Sequence, residues 1–220
     1  MASVGTAFSA TVESLRSDDD IERMAAAVLL RRFFERGTEQ GGRRRPYKRE
    51  TVEVIAGILR SLKADEEKDK NKDEGRDKDI FQKVLADGLR YARDLASADL
   101  QRCNLRGAYL GRKPGDKWRL DITHADLFGA DCTAASFREV IANEAVFYEA
   151  ILEGTVFADA ELRKADFRNA RLKGAKFGGA KIEGARFAGA VDVPQEVAKL
   201  LNPKFVGKSD AEVPSDGDSS

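Results

Sequence analysis

Residues 165–189 read ADFRNARLKGAKFGGAKIEGARFAG. Alanine falls at every fifth position, Ala165, Ala170, Ala175, Ala180 and Ala185. Two residues after each comes a large apolar side chain: Phe167, Leu172, Phe177, Ile182 and Phe187. An α-helix repeats every 3.6 residues and a strand every 2, so neither explains a period of five. Counting back in fives continues the large series through Leu162, Phe157, Leu152, Phe147, Ala142, Phe137, Cys132, Leu127 and Ile122, with Ala142 its small member. The positions two before these are nearly all alanine; Thr155, Val140 and Leu120 are the exceptions. An upstream block keeps the pattern around Leu100, Leu105 and Leu110. Between Leu110 and Ile122 the phase slips by two across GRKPGDKWR, residues 111–119. Gly111, Pro114 and Gly115 mark that stretch as a loop insertion.

A large–small alternation at period five implies that each pentad makes one straight edge and one turn, with both residues pointing inward. Four edges close a square coil, and successive coils stack by backbone hydrogen bonds at about 4.8 Å. No coil buries its faces without neighbours, which is the logic of a solenoid. Phenylalanine recurs every ten residues from Phe137 to Phe187. Phe137, Phe157 and Phe177 are therefore expected to stack on one face, and Phe147, Phe167 and Phe187 on the opposite one. Leu152 and Leu172 continue a third column, Leu162 and Ile182 a fourth. These ten residues are the expected structural core.

The pentads SADLQ, CNLRG, HADLF, KADFR and NARLK resemble the pentapeptide-repeat family, with its A-(D/N)-L-x-x pattern. The resemblance covers roughly residues 96–190. It implies a mainly β solenoid, a right-handed quadrilateral β-helix of pentapeptide repeats, with an N-terminal α-helical cap and a short C-terminal capping helix. Residues 1–17 read as a flexible N-terminus, 18–94 as an α-helical segment, 95–191 as the β-helix, 192–206 as the capping helix and 207–220 as a disordered tail. At the C-terminal end, Asp192 reads as the helix N-cap and Pro194 as a first-turn residue, with the helix over 193–201.

The helical segment shows three stretches. In the first, Ile21, Met24, Ala25, Val28, Leu29 and Phe33 form an apolar stripe, and Gly37 reads as its stop. The second starts at Pro46 and carries Val52, Ile55, Ile58, Leu59 and Leu62. The third carries Phe81, Val84, Leu85, Leu89 and Tyr91. Residues 64–78 hold no apolar side chain beyond Ala64 and read as a charged linker or helix extension. The helices are expected to cover the first coil. GGRRRPYKRE, residues 41–50, reads as a solvated basic loop.

Lysine plus arginine and aspartate plus glutamate number 38 each, so net charge points neither to a nucleic-acid binder nor to a DNA mimic. There is no apolar run long enough for a membrane span and no basic-then-apolar leader. The expectation is a cytoplasmic protein that meets no membrane and no nucleic acid, with Cys103 and Cys132 as free thiols filling the core. No P-loop, dinucleotide fingerprint or zinc-protease motif is present. No catalytic residue, no metal site and no cofactor are therefore expected, and the chain reads as not an enzyme. His124 reads as a corner residue. Asp121, Asp126 and Asp131, one per pentad, read as part of the coil surface rather than as a calcium ladder.

The outward positions carry the remaining information. Residues 121–161 are acidic, opposed by Arg138, and residues 163–186 are basic, so the solenoid is expected to be electrically polar along its axis. The residue before each large centre is apolar in four consecutive pentads: Ile141, Val146, Ile151 and Val156. With Tyr148 they form an apolar belt around one coil, the candidate interface. A register slip turning Ile141 inward and Ala142 outward is the competing explanation. Two functions follow. One is a non-enzymatic interaction or adaptor protein presenting a rigid rod to a protein partner. The other is what the family resemblance implies: a DNA-mimicking protein that binds a type II topoisomerase such as gyrase, protecting or inhibiting it. A homodimer through the C-terminal helix belongs to that second picture, whereas the basic last coils weigh against it.

Overall fold

The computed structural model describes residues 3–35, 47–68 and 75–201, divided into two compact units, residues 1–93 and 94–220. In the first unit, α1 spans Val4–Ser14 and is capped by Ser3, whose hydroxyl accepts from the Thr6 amide at 3.1 Å. α2 spans Asp20–Leu30, capped by Asp19, and continues into one 3₁₀ turn, Arg31–Phe34. α3 spans Lys48–Lys68 and α4 spans Gly75–Gly88, followed by a second 3₁₀ turn, Leu89–Ala92. Leu30, Phe33, Ile55, Leu59, Leu85 and Leu89 form the centre of this bundle.

Two features of this unit depart from expectation. The supposedly flexible N-terminus contains α1. Its Phe8 stacks on Tyr47 at 4.7 Å and meets Phe33 edge-on at 5.2 Å, with Thr11 and Leu15 buried beside it. One aromatic anchor, rather than a periodic stripe, holds this helix down. Secondly, α2 is rotated. Its buried face is Ala26, Ala27 and Leu30, leading to Phe33 and Phe34; of the expected stripe, Phe33 is buried and Met24 and Val28 are half-buried. Ile21 is 83% exposed, Leu29 is 38% exposed, and Ala25 faces solvent. Burying two phenylalanine rings on the continuation of the helix outweighs burying Ile21 and Leu29, because each ring removes more apolar area from water. Of the two readings of the 64–78 stretch, linker or helix extension, the helix extension holds up to Lys68 and again from Gly75. In α3 and the segment through α4, Val52, Ile55, Leu59, Phe81, Leu85 and Leu89 are buried, whereas Ile58, Leu62, Val84 and Tyr91 are half-buried. Lys48–Glu50 of the basic stretch open α3; Gly37 and residues 41–46 lie outside the described residues.

The second unit is built from one repeated turn. In a representative pentad, the Ala150 amide donates to the Phe147 carbonyl at 3.1 Å, closing a four-residue turn with Glu149 at φ 57°. A positive φ at the third turn residue is the signature of a type II turn. The same left-handed position recurs at every fifth residue from His124 to Gly189. Between turns a single residue pairs with the next coil. Asp121 bridges Ile141 and Ile141 bridges Glu161, while Val146, Ile151 and Val156 pair likewise on the next three sides. Bridges every five residues with a return after 20 make a four-sided coil. All bridges are parallel and single, so among the described residues this unit contains no regular strand. The turns consume the residues that longer strands would need.

The first coil is longer. Asp94 pairs with Asp121, 27 positions on, whereas Asp121 pairs with Ile141, 20 positions on; seven extra residues are looped out. The loop falls at 111–119. Arg112 bonds the Asp116 carbonyl at 3.0 Å and the Glu139 carboxylate at 2.9 Å. Arg119 reaches the Glu139 carbonyl at 2.5 Å and the Glu161 carboxylate at 2.7 Å, tying the loop base across two coils.

All ten expected core residues are buried. Phe147 stacks on Phe167 at 5.0 Å and 2°, and Phe137 on Phe157 at 5.3 Å and 15°. The two ladders also meet each other edge-on, Phe157 against Phe167 at 5.7 Å and 83°. The interruptions in the pattern compensate one another. Val140, large at a small position, and Ala142, small at a large one, sit in neighbouring inward slots, and both are fully buried. Ala142 therefore points inward, and no register slip occurs. Thr155 is buried because its hydroxyl donates to the Cys132 carbonyl at 2.7 Å.

At the C-terminal end, α5 spans Gln195–Leu201. Asp192 has φ 56°, which no N-cap adopts, and the Pro194 carbonyl accepts from the Val197 and Ala198 amides instead. Glu196 accepts from the Phe177 amide at 2.5 Å. One turn of the ladder earlier, the Phe157 amide donates to the Lys176 carbonyl at 2.7 Å. The glutamate side chain thus stands in for the coil that does not follow. The tail 207–220 lies outside the described residues.

Phe167→Ala removes a ring from both the stack and the edge-on contacts and should cost about 3–5 kcal/mol; an unchanged thermal melt would rule out the ladder as the source of stability. Ala134 occupies the left-handed turn position at φ 55°. Ala134→Gly should stabilise the fold by up to about 1 kcal/mol by relieving that strain, read as a rise in melting temperature.

Candidate interaction face

The four-sided register decides what the apolar belt can do. Ile141, Val146, Ile151 and Val156 each lie on a different side of one coil. Ile141 stands between Asp121 and Glu161, and Val156 between Ser136 and Lys176. All four are half-buried by the coils above and below. The belt encircles the stack, so one flat partner surface meets at most two of its members.

Tyr148 belongs to a different array. Its ring stacks on Phe128 at 5.8 Å and 13°. The Arg102 guanidinium lies over the Phe128 ring at 5.6 Å, and Arg168 lies over Tyr148 at 5.3 Å. Asn169 donates to the Tyr148 hydroxyl at 2.9 Å. The result is a ladder of two outward aromatic rings framed by two cations, on the side carrying Val146. Phe128 and Tyr148 are half-buried, and Arg102 is exposed. Phe128 is absent from the sequence-derived interface, although its separation of 20 residues from Tyr148, one coil, was there to be read.

The ladder is fixed from behind by a carboxylate. Asp166, buried, takes two bonds from Arg168, at 2.9 and 2.7 Å, and one from Arg186 at 2.8 Å. Burial alone would raise its pKa, but the hydrogen bonds from Arg168 and the charges of both arginines outweigh it and hold the carboxyl below its ordinary value.

A family model for pentapeptide repeats matches eight copies across residues 125–162 and 150–189. Residues 125–189 of the coil stack are pentapeptide repeats. No curated protein matches the chain. Among solved structures, a pentapeptide repeat protein from the Arabidopsis thaliana thylakoid lumen is 27% identical with a TM-score of 0.34, over 49% of this chain and 71% of that one. The pentapeptide repeat protein Rfr23 from the cyanobacterium Cyanothece 51142 is 20% identical with a TM-score of 0.38, over 45% and 90%. QnrB1, a plasmid-mediated fluoroquinolone resistance protein, is 20% identical with a TM-score of 0.23, over 44% and 59%.

The aspartates of the coils have a structural task. Asp121, Asp126 and Asp131 each accept from the amide two residues on, at 2.8, 2.9 and 2.9 Å, bracing the turn that follows. Among the described residues, no group of three or more His, Cys, Asp or Glu is placed to hold a metal ion. His124 sits at an exposed corner, its Nδ1 3.7 Å from Glu144. Cys103 and Cys132 are buried and not joined in a disulfide.

The axial charge segregation is real in sequence but is paired off between coils. A shift of 20 residues lays the basic block against the acidic one. Arg171 meets Glu153 at 2.6 Å and Lys164 meets Glu144 at 3.9 Å, while Glu161 is surrounded by Arg119, Arg163 and Lys181, and Asp159 is met by Arg138 of its own block at 3.4 Å. The Arg119 hydrogen bond, helped by the neighbouring charges, lowers the Glu161 pKa despite burial.

Both Asp166 and Glu161 have folded-state pKa values below their unfolded ones. Their stabilising contribution is therefore complete above the ordinary carboxylate range, about pH 4, and is lost as pH falls through the folded values. Melting temperature should hold from pH 7 to about 5 and drop below about 4, and the drop should shrink in Asp166→Asn. Ile151→Asp, on an outward and half-buried site, should leave folding intact; a collapsed circular-dichroism signal would show that the belt is core.

Proposed function

We propose that this pentapeptide-repeat protein is a non-enzymatic adaptor that presents a rigid four-sided rod to a protein partner. The observation carrying this reading is the filled interior. The inward positions from Leu120 to Ala175 are buried among one another, so the rod offers its chemistry on the outside. On that outside, the Arg102–Phe128–Tyr148–Arg168 ladder with Val146 combines the residue types that dominate interface hot spots, aromatic rings and arginine. The reading places the protein in the cytoplasm, without cofactor, membrane or nucleic-acid partner. Cys103 and Cys132, buried and not joined in a disulfide, are what a reducing compartment would keep.

The alternative, a DNA mimic acting on a type II topoisomerase, needs a continuous acidic face. Glu139, Glu153, Asp159, Glu161 and Asp166 are each paired with arginine or lysine, which weighs against it.

Affinity capture from native host lysate separates the readings. Wild type should retain a specific protein that Val146→Asp/Tyr148→Ala loses and that Val156→Asp, on the opposite side, keeps. A topoisomerase subunit on the wild-type beads would favour the DNA-mimic reading. Binding lost equally in both variants would sink the ladder as the contact.

A further inference from the structure

Each coil meets the next with more donors than acceptors. In the pentad 145–149, the Phe147 and Glu149 amides donate to the following coil, at 2.7 and 3.0 Å, while one carbonyl, that of Ala145, accepts from it at 2.9 Å. Towards the preceding coil the balance is reversed. There the Val146 amide donates at 2.9 Å, and the Val146 and Tyr148 carbonyls accept at 2.7 and 2.9 Å. Backbone polarity therefore adds along the rod, as it does along a helix, and the C-terminal edge is the one rich in N–H groups.

The last coil, residues 172–191, turns eight such amides towards that edge. Two have acceptors: Leu172 donates to the Val191 carbonyl at 3.0 Å, and Phe177 to the Glu196 carboxylate at 2.5 Å. Among the described residues, the amides of Gly174, Gly179, Ile182, Gly184, Phe187 and Gly189 meet none. Their counterparts one coil earlier all donate onward, at 2.7–3.1 Å. The corners are also bare. The coil before has one glycine corner, Gly154, beside Asp159, Lys164 and Asn169, whereas all four corners of the last coil are glycine. At Gly179 and Gly189 a Cβ would collide with the Asp159 and Asn169 side chains.

The rim of this edge is basic. Lys173, Lys176, Lys181 and Arg186 are all exposed, against one carboxylate in the coil, Glu183, which lies 3.3 Å from Arg163. Lys181 and Arg186 lean back to Glu161 and Asp166, at 3.6 and 2.8 Å. Among the described residues, Lys173 and Lys176 meet no carboxylate. Unpaired sheet-edge amides are anion-binding groups, and Glu196 shows what this edge accepts: a carboxylate in place of a main-chain carbonyl.

We infer that the C-terminal edge of the rod docks an extended acidic segment of a protein partner. The segment lies along the coil from Gly179 round to Gly189, its carbonyls and carboxylates taking the open amides and its acidic side chains meeting Lys176 and Lys181. Main-chain bonds to a sheet edge supply affinity, and the basic rim selects the charge of the occupant. A second copy of this edge is a poor occupant, because it brings the same excess of donors and the same basic rim. The site is separate from the aromatic ladder, so it does not depend on which side of the rod meets another partner.

Titration of the isotope-labelled full chain with a blocked octapeptide of alternating threonine and glutamate tests it, read at the amides of Gly179, Gly184 and Gly189. The peptide should shift these resonances and slow their hydrogen exchange. A threonine–glutamine octapeptide should bind at least about tenfold more weakly. Lys176→Gln/Lys181→Gln should weaken the acidic peptide comparably and leave the melt unchanged, since Glu161 keeps Arg119 and Arg163. Lys117→Gln, at an exposed position of the 111–119 loop, should change nothing. Glycine amides that never respond would overturn the inference, as would a neutral peptide that binds equally well. Exchange already slow without peptide would also overturn it. Slow exchange at every protein concentration would assign the edge to residues 202–220 of the same chain, and slowing that grows with protein concentration would assign it to a second copy.

Discussion

Everything in the repeat unit depends on one backbone constraint: a turn every five residues, with its third residue left-handed. That turn bends the chain through a corner, and four corners return it above its starting point. The inter-coil hydrogen bonds then close in register, as the Phe147 amide does on the Asp166 carbonyl and Glu149 on Arg168. Once the register is 20, every other contact in the rod inherits it. The phenylalanine stacks, the outward Phe128–Tyr148 pair and the Arg171–Glu153 ion pair are all spaced near one coil. A left-handed non-glycine residue costs of order 1 kcal/mol, repeated around the rod. The stacked hydrogen bonds and the dry core offset that cost collectively, which is why such coils need neighbours on both sides.

The ends and the insertion show how the rod manages places where the repeat stops. At the C-terminal edge, Glu196 of α5 satisfies the Phe177 amide that has lost its coil. At the loop, Arg112 and Arg119 span from the excursion to Glu139 and Glu161, so seven extra residues leave the stacking undisturbed. Inside the rod, Val140 and Ala142 exchange volumes within one corner and keep the packing dense. Each device is local, because contacts reach only the neighbouring coil.

The helical unit follows other rules. Its alignment is set by where large rings fit, and small residues accommodate. Phe8 is held between Tyr47 and Phe33, and Phe33 with Phe34 fixes which way α2 faces. The face left outside carries Ile21, Ala25 and Leu29. The protein thereby combines a rod whose sides are specified by a repeat with a helix whose free side is specified by the packing of its opposite one.

The solenoid was legible from residues alone, because a period of five has one physical solution and every inward position reports on it. Core membership from Phe137 to Phe187, the two ring ladders and the looped 111–119 stretch follow from the pattern. Three things do not. The direction of α2 was hidden because Ile21/Leu29 and Ala26/Leu30 are both plausible helical stripes; only the rings of Phe33 and Phe34, placed by the bundle, choose between them. α1 was hidden because a single phenylalanine in a pocket has no period. The belt of Ile141, Val146, Ile151 and Val156 is half-buried, and only the coil geometry puts its members on four sides and joins Tyr148 instead to Phe128 and Arg168. Linear periodicity determines which side chains point inward, since that is a property of the local turn. Which outward side chains share a surface is decided by the closure of the coil, a long-range event that spacing within one pentad does not contain.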